Sequence, residues 1–133
     1  MIVSAEEFIK LRVSEVEAEY HRAAHDAADI SIWVDVIERY PSFKEWVVHN
    51  KTIPLAILEM LAEDADPAVR RRIATKRKID SRIVSLLSGD ADESVRHALI
   101  SNAALTEKQL RAMHVQDSQW LQAELAKRLA AYK

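Results

Sequence analysis

Apolar and polar positions in this chain recur at a fixed interval. Three segments align without gaps, each at the same offset from the last: YPSFKEWVVHNKTIPLAILEML from Tyr40, DPAVRRRIATKRKIDSRIVSLL from Asp66 and DESVRHALISNAALTEKQLRAM from Asp92. A looser fourth, SQWLQAELAKRLAAYK, begins at Ser118. Phe43, Val69, Val95 and Leu121 fall in one column, and Val47, Ile73, Leu99 and Leu125 fall four residues later. A spacing of four puts two side chains on one face of a helix. Self-similarity at a fixed period marks stacked supersecondary units, none of which can bury its apolar face alone.

Each unit reads as two short helices. Asp66 and Asp92 stand where a carboxylate can accept the orphan N–H groups of a first turn. Pro41 and Pro67 take the first helical position, where a missing N–H costs nothing. The second helices follow Ile53, Ile79 and Leu105, with Asp80 and Thr106 as caps, and Thr106 with Gln109 forms a capping box. Asn50 and Asn102 stand between the helices, where asparagine replaces glycine in the left-handed conformation that ends a helix.

Upstream lie helices in another register. Ser4 with Glu7 and Ser14 with Glu17 read as capping boxes, and Asp29 caps a helix from Ile30 to about Tyr40. The predicted fold is therefore all-α: a single-domain, right-handed α-solenoid of short helix pairs. Residues 1–39 form a helical cap and partial first repeat, 40–65, 66–91 and 92–117 are repeats, and 118–133 is a C-terminal capping helix.

Composition sharpens this picture. Glycine occurs once and cysteine not at all. The first fact argues for helix and against glycine-rich phosphate loops. The second excludes thiolate metal sites, iron–sulfur clusters and a cysteine nucleophile, and agrees with a cytoplasmic location. The opening MIVSAEEF lacks a secretory signal's basic and apolar segments, and no apolar run is long enough to span a bilayer. The net charge is −2, yet residues 70–82 carry seven basic residues against one acidic one. A near-neutral sum thus hides a dipolar surface.

The stretch LAEDADPAVRRRIA, followed by an asparagine or lysine and then a hydrophobic–cap pair, resembles the leucine-rich repeat variant motif, one of the HEAT-like helical repeats. The resemblance covers Tyr40 to about Met113. It implies an architecture rather than an activity, since such repeats serve many partners. The founding variant-repeat protein is associated with a cysteine-ligated iron–sulfur cluster, which a chain without cysteine cannot hold. Where the family pattern places Asn-Pro after the first helix, the middle repeat has KRK.

The arginines divide by helical angle. With Val69 at zero, Ile73 falls at about 40°, Arg70 at about 100° and Ala74 at about 140°. Arg70 and its counterpart Arg96 thus lie inside the apolar arc. They are expected to snorkel and to pair with the loop aspartates Asp64, Asp66, Asp90 and Asp92, as a structural ladder. Arg71 and Arg72 point outside the arc, and Lys76, Arg77 and Lys78 occupy the connection between helices. These five form a candidate surface for an anionic partner, with Trp46 as an aromatic anchor under Arg72. The competing reading is a solvated charged face. His21 and His25, four residues apart beside Asp26, are a weak candidate metal pair with no third ligand fixed by spacing. Trp33 reads as core, and Trp120 as core or anchor.

No nucleophile elbow, acid–base carboxylate pair or cofactor motif appears, so no catalytic residue and no cofactor is assigned. The reading that fits best is a non-catalytic module binding a protein, acidic by preference, as a bacterial adaptor, inhibitor or immunity-type protein does. The alternative is nucleic-acid binding through residues 71–78, for which HEAT-like DNA glycosylases are a precedent and the low overall pI a counter-argument. A cofactor- or DNA-handling enzyme, such as some HEAT-like chromophore lyases would suggest, ranks last.

Overall fold

A computed structural model describes residues 1–132, and every regular element in it is helical. The described residues hold ten α-helices and two 3-10 turns, the turns running directly into or out of a helix, and the sole extended pairing among them is an isolated bridge between Ile2 and Ala28. The chain packs as two compact units, Met1–Leu61 and the residues from Ala62 onward.

The first unit holds α1 (Ala5–Val13), α2 (Glu17–His25), α3 (Ile30–Arg39), α4 (Lys44–His49) and α5 (Leu55–Leu61). Ser4 caps α1, its Oγ accepting the Glu7 N–H at 3.0 Å, and Asp29 caps α3 by accepting from Ser31 at 3.1 Å. The Glu7 carboxylate reaches back to the Val3 N–H, one residue before the cap, instead of closing a box on Ser4. Ser14 does not box with Glu17. It ends α1, accepts the Val16 N–H and donates to Glu19 at 2.7 Å, because the loop turns once more before α2 starts. Pro41 opens a 3-10 turn, Pro41–Phe43, ahead of α4. The core is built on Phe8 and Trp33, which meet edge to face at 5.1 Å with both side chains fully buried.

The second unit holds α6 (Pro67–Ala74), α7 (Ser81–Ser88), α8 (Glu93–Ile100), α9 (Glu107–Arg111), α10 (Gln119–Leu129) and a final 3-10 turn, Ala130–Tyr132. Lys133, the last residue of the expected capping segment, lies outside the described residues. Helices α6 and α8 begin one sequence period apart, at Pro67 and Glu93, and pack side by side, and α10 packs on α8 in turn. Val69, Ile73, Val95, Leu99, Leu121 and Leu125 are buried, as are Val47 in the first unit and, in part, Phe43. Caps fall where the sequence places them. Asp66 and Asp92 each accept an N–H two residues on, Asp80 accepts from Ile83, and Thr106 and Gln109 make both bonds of the capping box.

The two asparagines behave differently from expectation. No described residue has positive φ, and Asn50 is extended at φ −61°, ψ 132°. Their side chains, not their backbones, serve the helix ends. Asn102 is buried, and its Nδ2 donates to the carbonyls of Ala74 at 2.8 Å and Lys76 at 2.9 Å while Oδ1 accepts the Ala104 N–H. Asn50 repeats the arrangement in the first unit with the carbonyls of Ala23 and Asp26 and the N–H of Thr52. One primary amide thereby satisfies two carbonyls at the end of a neighbouring helix, groups that a helix C-terminus leaves without a partner.

Candidate functional site

The ladder residues come first, because they decide which arginines remain for other work. Arg70 leaves α6 inside the apolar arc, and its guanidinium meets Asp90 through two bonds, 2.7 Å from Nε and 3.1 Å from Nη2. Nη1 donates to the carbonyls of Asp64 and Ala65. Asp90 in turn accepts the Asp92 N–H, and Asp64 accepts the Asp66 N–H, so each loop aspartate shapes its own loop as well. Asp66 and Asp92 act as caps and are not the ion-pair partners of the arginines four residues on. The hydrogen bonds to Asp90 push the Arg70 pKa up.

Arg96, in the equivalent place on α8, is fully buried. It forks onto Asp117 at 2.7 and 3.0 Å and donates to the His114 carbonyl at 2.7 Å. The pair is asymmetric, since the Arg96 side chain is 1% exposed and that of Asp117 is 54% exposed. The Arg96 hydrogen bonds hold the Asp117 carboxyl below the usual carboxylate range. The sequence reading missed Asp117 because the alignment puts Gln116, not Asp117, in the Asp64–Asp90 column. An acid immediately before the Ser118 cap was the available signal.

Of the five candidate basic residues, Arg71, Arg72, Arg77 and Lys78 are exposed and Lys76 is half-buried. Arg71 lies next to Arg70 on α6, and Arg77 and Lys78 lie in the loop beyond it. Arg77 also lines a shallow depression of about 380 Å³ with Thr75, His97, Ala98, Ser101 and Asn102. On its other side His97 stacks on Trp120 at 4.5 Å and stands 3.8 Å from Glu124. Trp120 is thus an exposed aromatic lying on a neighbouring ring, and Trp33 is core.

Trp46 belongs to the first unit, and the guanidinium of Arg12 lies over its ring, 3.5 Å from the centroid. Arg12 comes from the non-repeating N-terminal segment, whose register says nothing about Trp46. His21 and His25 do come together, as a parallel stack at 4.0 Å, with His25 Nδ1 facing the His21 carbonyl at 3.0 Å. No group of three metal-ligating side chains is assembled among the described residues. Asp26 is held by Arg22 and the N-terminal amine. Arg12, Tyr20, His21, His25, Trp46 and His49 border one pocket of about 310 Å³. No helix is long and apolar enough to cross a membrane. No protein-family model, curated protein or solved structure matches the chain.

Proposed function

We propose that the protein is a non-catalytic helical-repeat binding module, a right-handed α-solenoid of the leucine-rich-repeat-variant or HEAT-like kind, working in the cytoplasm through protein–protein interaction. One observation supports it above others: the division of labour among neighbouring arginines. Arg70 and Arg96 spend their guanidinium groups on Asp90 and Asp117 within the unit. Arg71 and Arg77 stand exposed, with no ion pair among the described residues. Around them Arg72, Lys76 and Lys78 add charge of the same sign. A compact acidic face is drawn to such a surface, whereas a long polyanion would also meet the acidic remainder of the chain. The side-by-side packing of α6 and α8, one sequence period apart, supports the solenoid reading.

The test combines charge reversal with two kinds of ligand. A triple variant, Arg72→Glu, Lys76→Glu and Arg77→Glu, is compared with the native protein in a pull-down from the native cell at low and high salt. Loss of a specific protein from the variant supports the proposal. Short duplex DNA and single-stranded RNA are titrated in parallel at about 50 and about 200 mM salt. Contact with roughly five phosphates weakens binding by about two to three orders of magnitude across that range. Such binding, abolished by the triple reversal, would replace the protein partner with nucleic acid. An unchanged pull-down together with no nucleic-acid binding would make the charge a solvated face only.

A further inference from the structure

We infer that the pocket of the first unit is a binding site for a small ring-bearing anion, a carboxylate or phosphate carried on a flat apolar body. The inference concerns a different part of the chain from the basic surface and does not depend on it.

The charge balance of the unit is the starting point. Its three arginines are Arg12, Arg22 and Arg39. Arg22 meets two carboxylates, Asp26 at 2.8 Å and Glu7 at 3.7 Å. Arg39 also meets two, Asp35 and Glu6. Arg12 meets none among the described residues, although the unit is rich in acids. Its Nε is shut off from solvent and has no hydrogen-bond acceptor. A guanidinium with no carboxylate partner and one nitrogen out of water is the charge in this unit best placed to meet an anion from outside.

The Arg12 guanidinium carbon lies 3.5 Å over the Trp46 ring, which holds the group at the pocket wall. With Nε shut off from solvent, the Nη1 and Nη2 donors are the edge left to a ligand, and such a pair matches the two oxygens of a carboxylate or phosphate. The rest of the wall is aromatic. His21 and His25 present a parallel stack, His49 stands at right angles to Trp46 at 5.7 Å, and Tyr20 closes one side. No acidic side chain lines the pocket. Its volume of about 310 Å³ sits at the small end of the ligand-site range, suited to one ring system rather than to a peptide. Cation, flat walls and the exclusion of carboxylates select together for a ring and a negative charge on one molecule.

The experiment follows the indole N–H signals of Trp33, Trp46 and Trp120 in two-dimensional NMR, with Trp46 assigned through Trp46→Phe. The probes are benzoate, phenyl phosphate, inorganic phosphate and benzylamine. The expected result is a saturable shift of the Trp46 signal with one or both aryl anions, benzoate and phenyl phosphate separating a carboxylate from a phosphate ligand. Inorganic phosphate should bind at least about tenfold more weakly because it lacks the ring, and benzylamine should leave the signal unmoved. Arg12→Gln should lose at least about tenfold in affinity. Should that variant not fold, His25→Ala, at an exposed position, should still lose severalfold. No saturable shift with either aryl anion, an equal response to benzylamine, or full affinity in folded Arg12→Gln would overturn the assignment.

Discussion

Arg70 and Arg96 occupy equivalent columns, yet their burial differs in kind. Asp90, the partner of Arg70, has a side chain 7% exposed, whereas Asp117, the partner of Arg96, is half exposed. Removing Arg70 leaves a buried carboxylate, and removing Arg96 leaves mainly a hole where its stem was packed. Alanine at either position should cost roughly 1–3 kcal/mol in chemical denaturation, against less than about 0.5 kcal/mol for Arg77→Ala. The two losses should separate in double variants: Asp90→Asn should recover part of the Arg70→Ala loss, and Asp117→Asn should recover little of the Arg96→Ala loss. The Asp117 pair also carries a pH signature. Its folded pKa lies below the unfolded value of about 3.9, so its contribution is complete above that value and disappears as pH falls through the folded one. The stability gap between native protein and Asp117→Asn should therefore narrow between about pH 5 and about pH 2, read from denaturation at each pH.

Helix ends hold the elements in place, and two devices do so at different strengths. Side-chain caps such as Asp66, Asp80 and Asp92 each satisfy one or two first-turn N–H groups, so Asp80→Ala should cost about 1 kcal/mol. Asn102 reaches further, since it donates to two carbonyls belonging to the end of α6 and the residues after it. Asn102→Ala should cost about 2–3 kcal/mol by leaving those carbonyls without their donor. Asn102→Asp should be worse than alanine, because a carboxylate offers no donor and faces two carbonyl oxygens. Thermal unfolding of the two variants measures the order, and an aspartate variant as stable as the native protein would contradict the role given to the amide.

Across the whole chain, a net charge of −2 coexists with the basic run from Arg70 to Arg82. Such a field acts on encounter more than on residence. If the proposed acidic protein partner docks on this run, its association should slow several-fold, up to about tenfold, between about 50 and about 200 mM salt, while dissociation changes little. Stopped-flow mixing with the captured partner reads both rates. A salt effect confined to dissociation would place the arginines inside the contact rather than in its approach.

Periodicity by itself determined the helical class, the positions of α6 through α9 and most of their caps. These follow from local rules, namely apolar residues four apart, a carboxylate before the first turn and proline at its start. It also separated Arg70 and Arg96 from their neighbours, because helical angle is a local property. The partners of those arginines were decided only by tertiary structure. Asp90 was legible as one of four aspartates, but Asp117 was not, since the loop before α10 shifts its acid by one position. The asparagines were legible as helix-end residues, whereas their use as side-chain donors depends on which helix end lies beside them. Arg12 over Trp46 was least legible of all. It joins a segment outside the repeat to a distant one within it, and no local rule relates two registers that only packing brings into contact.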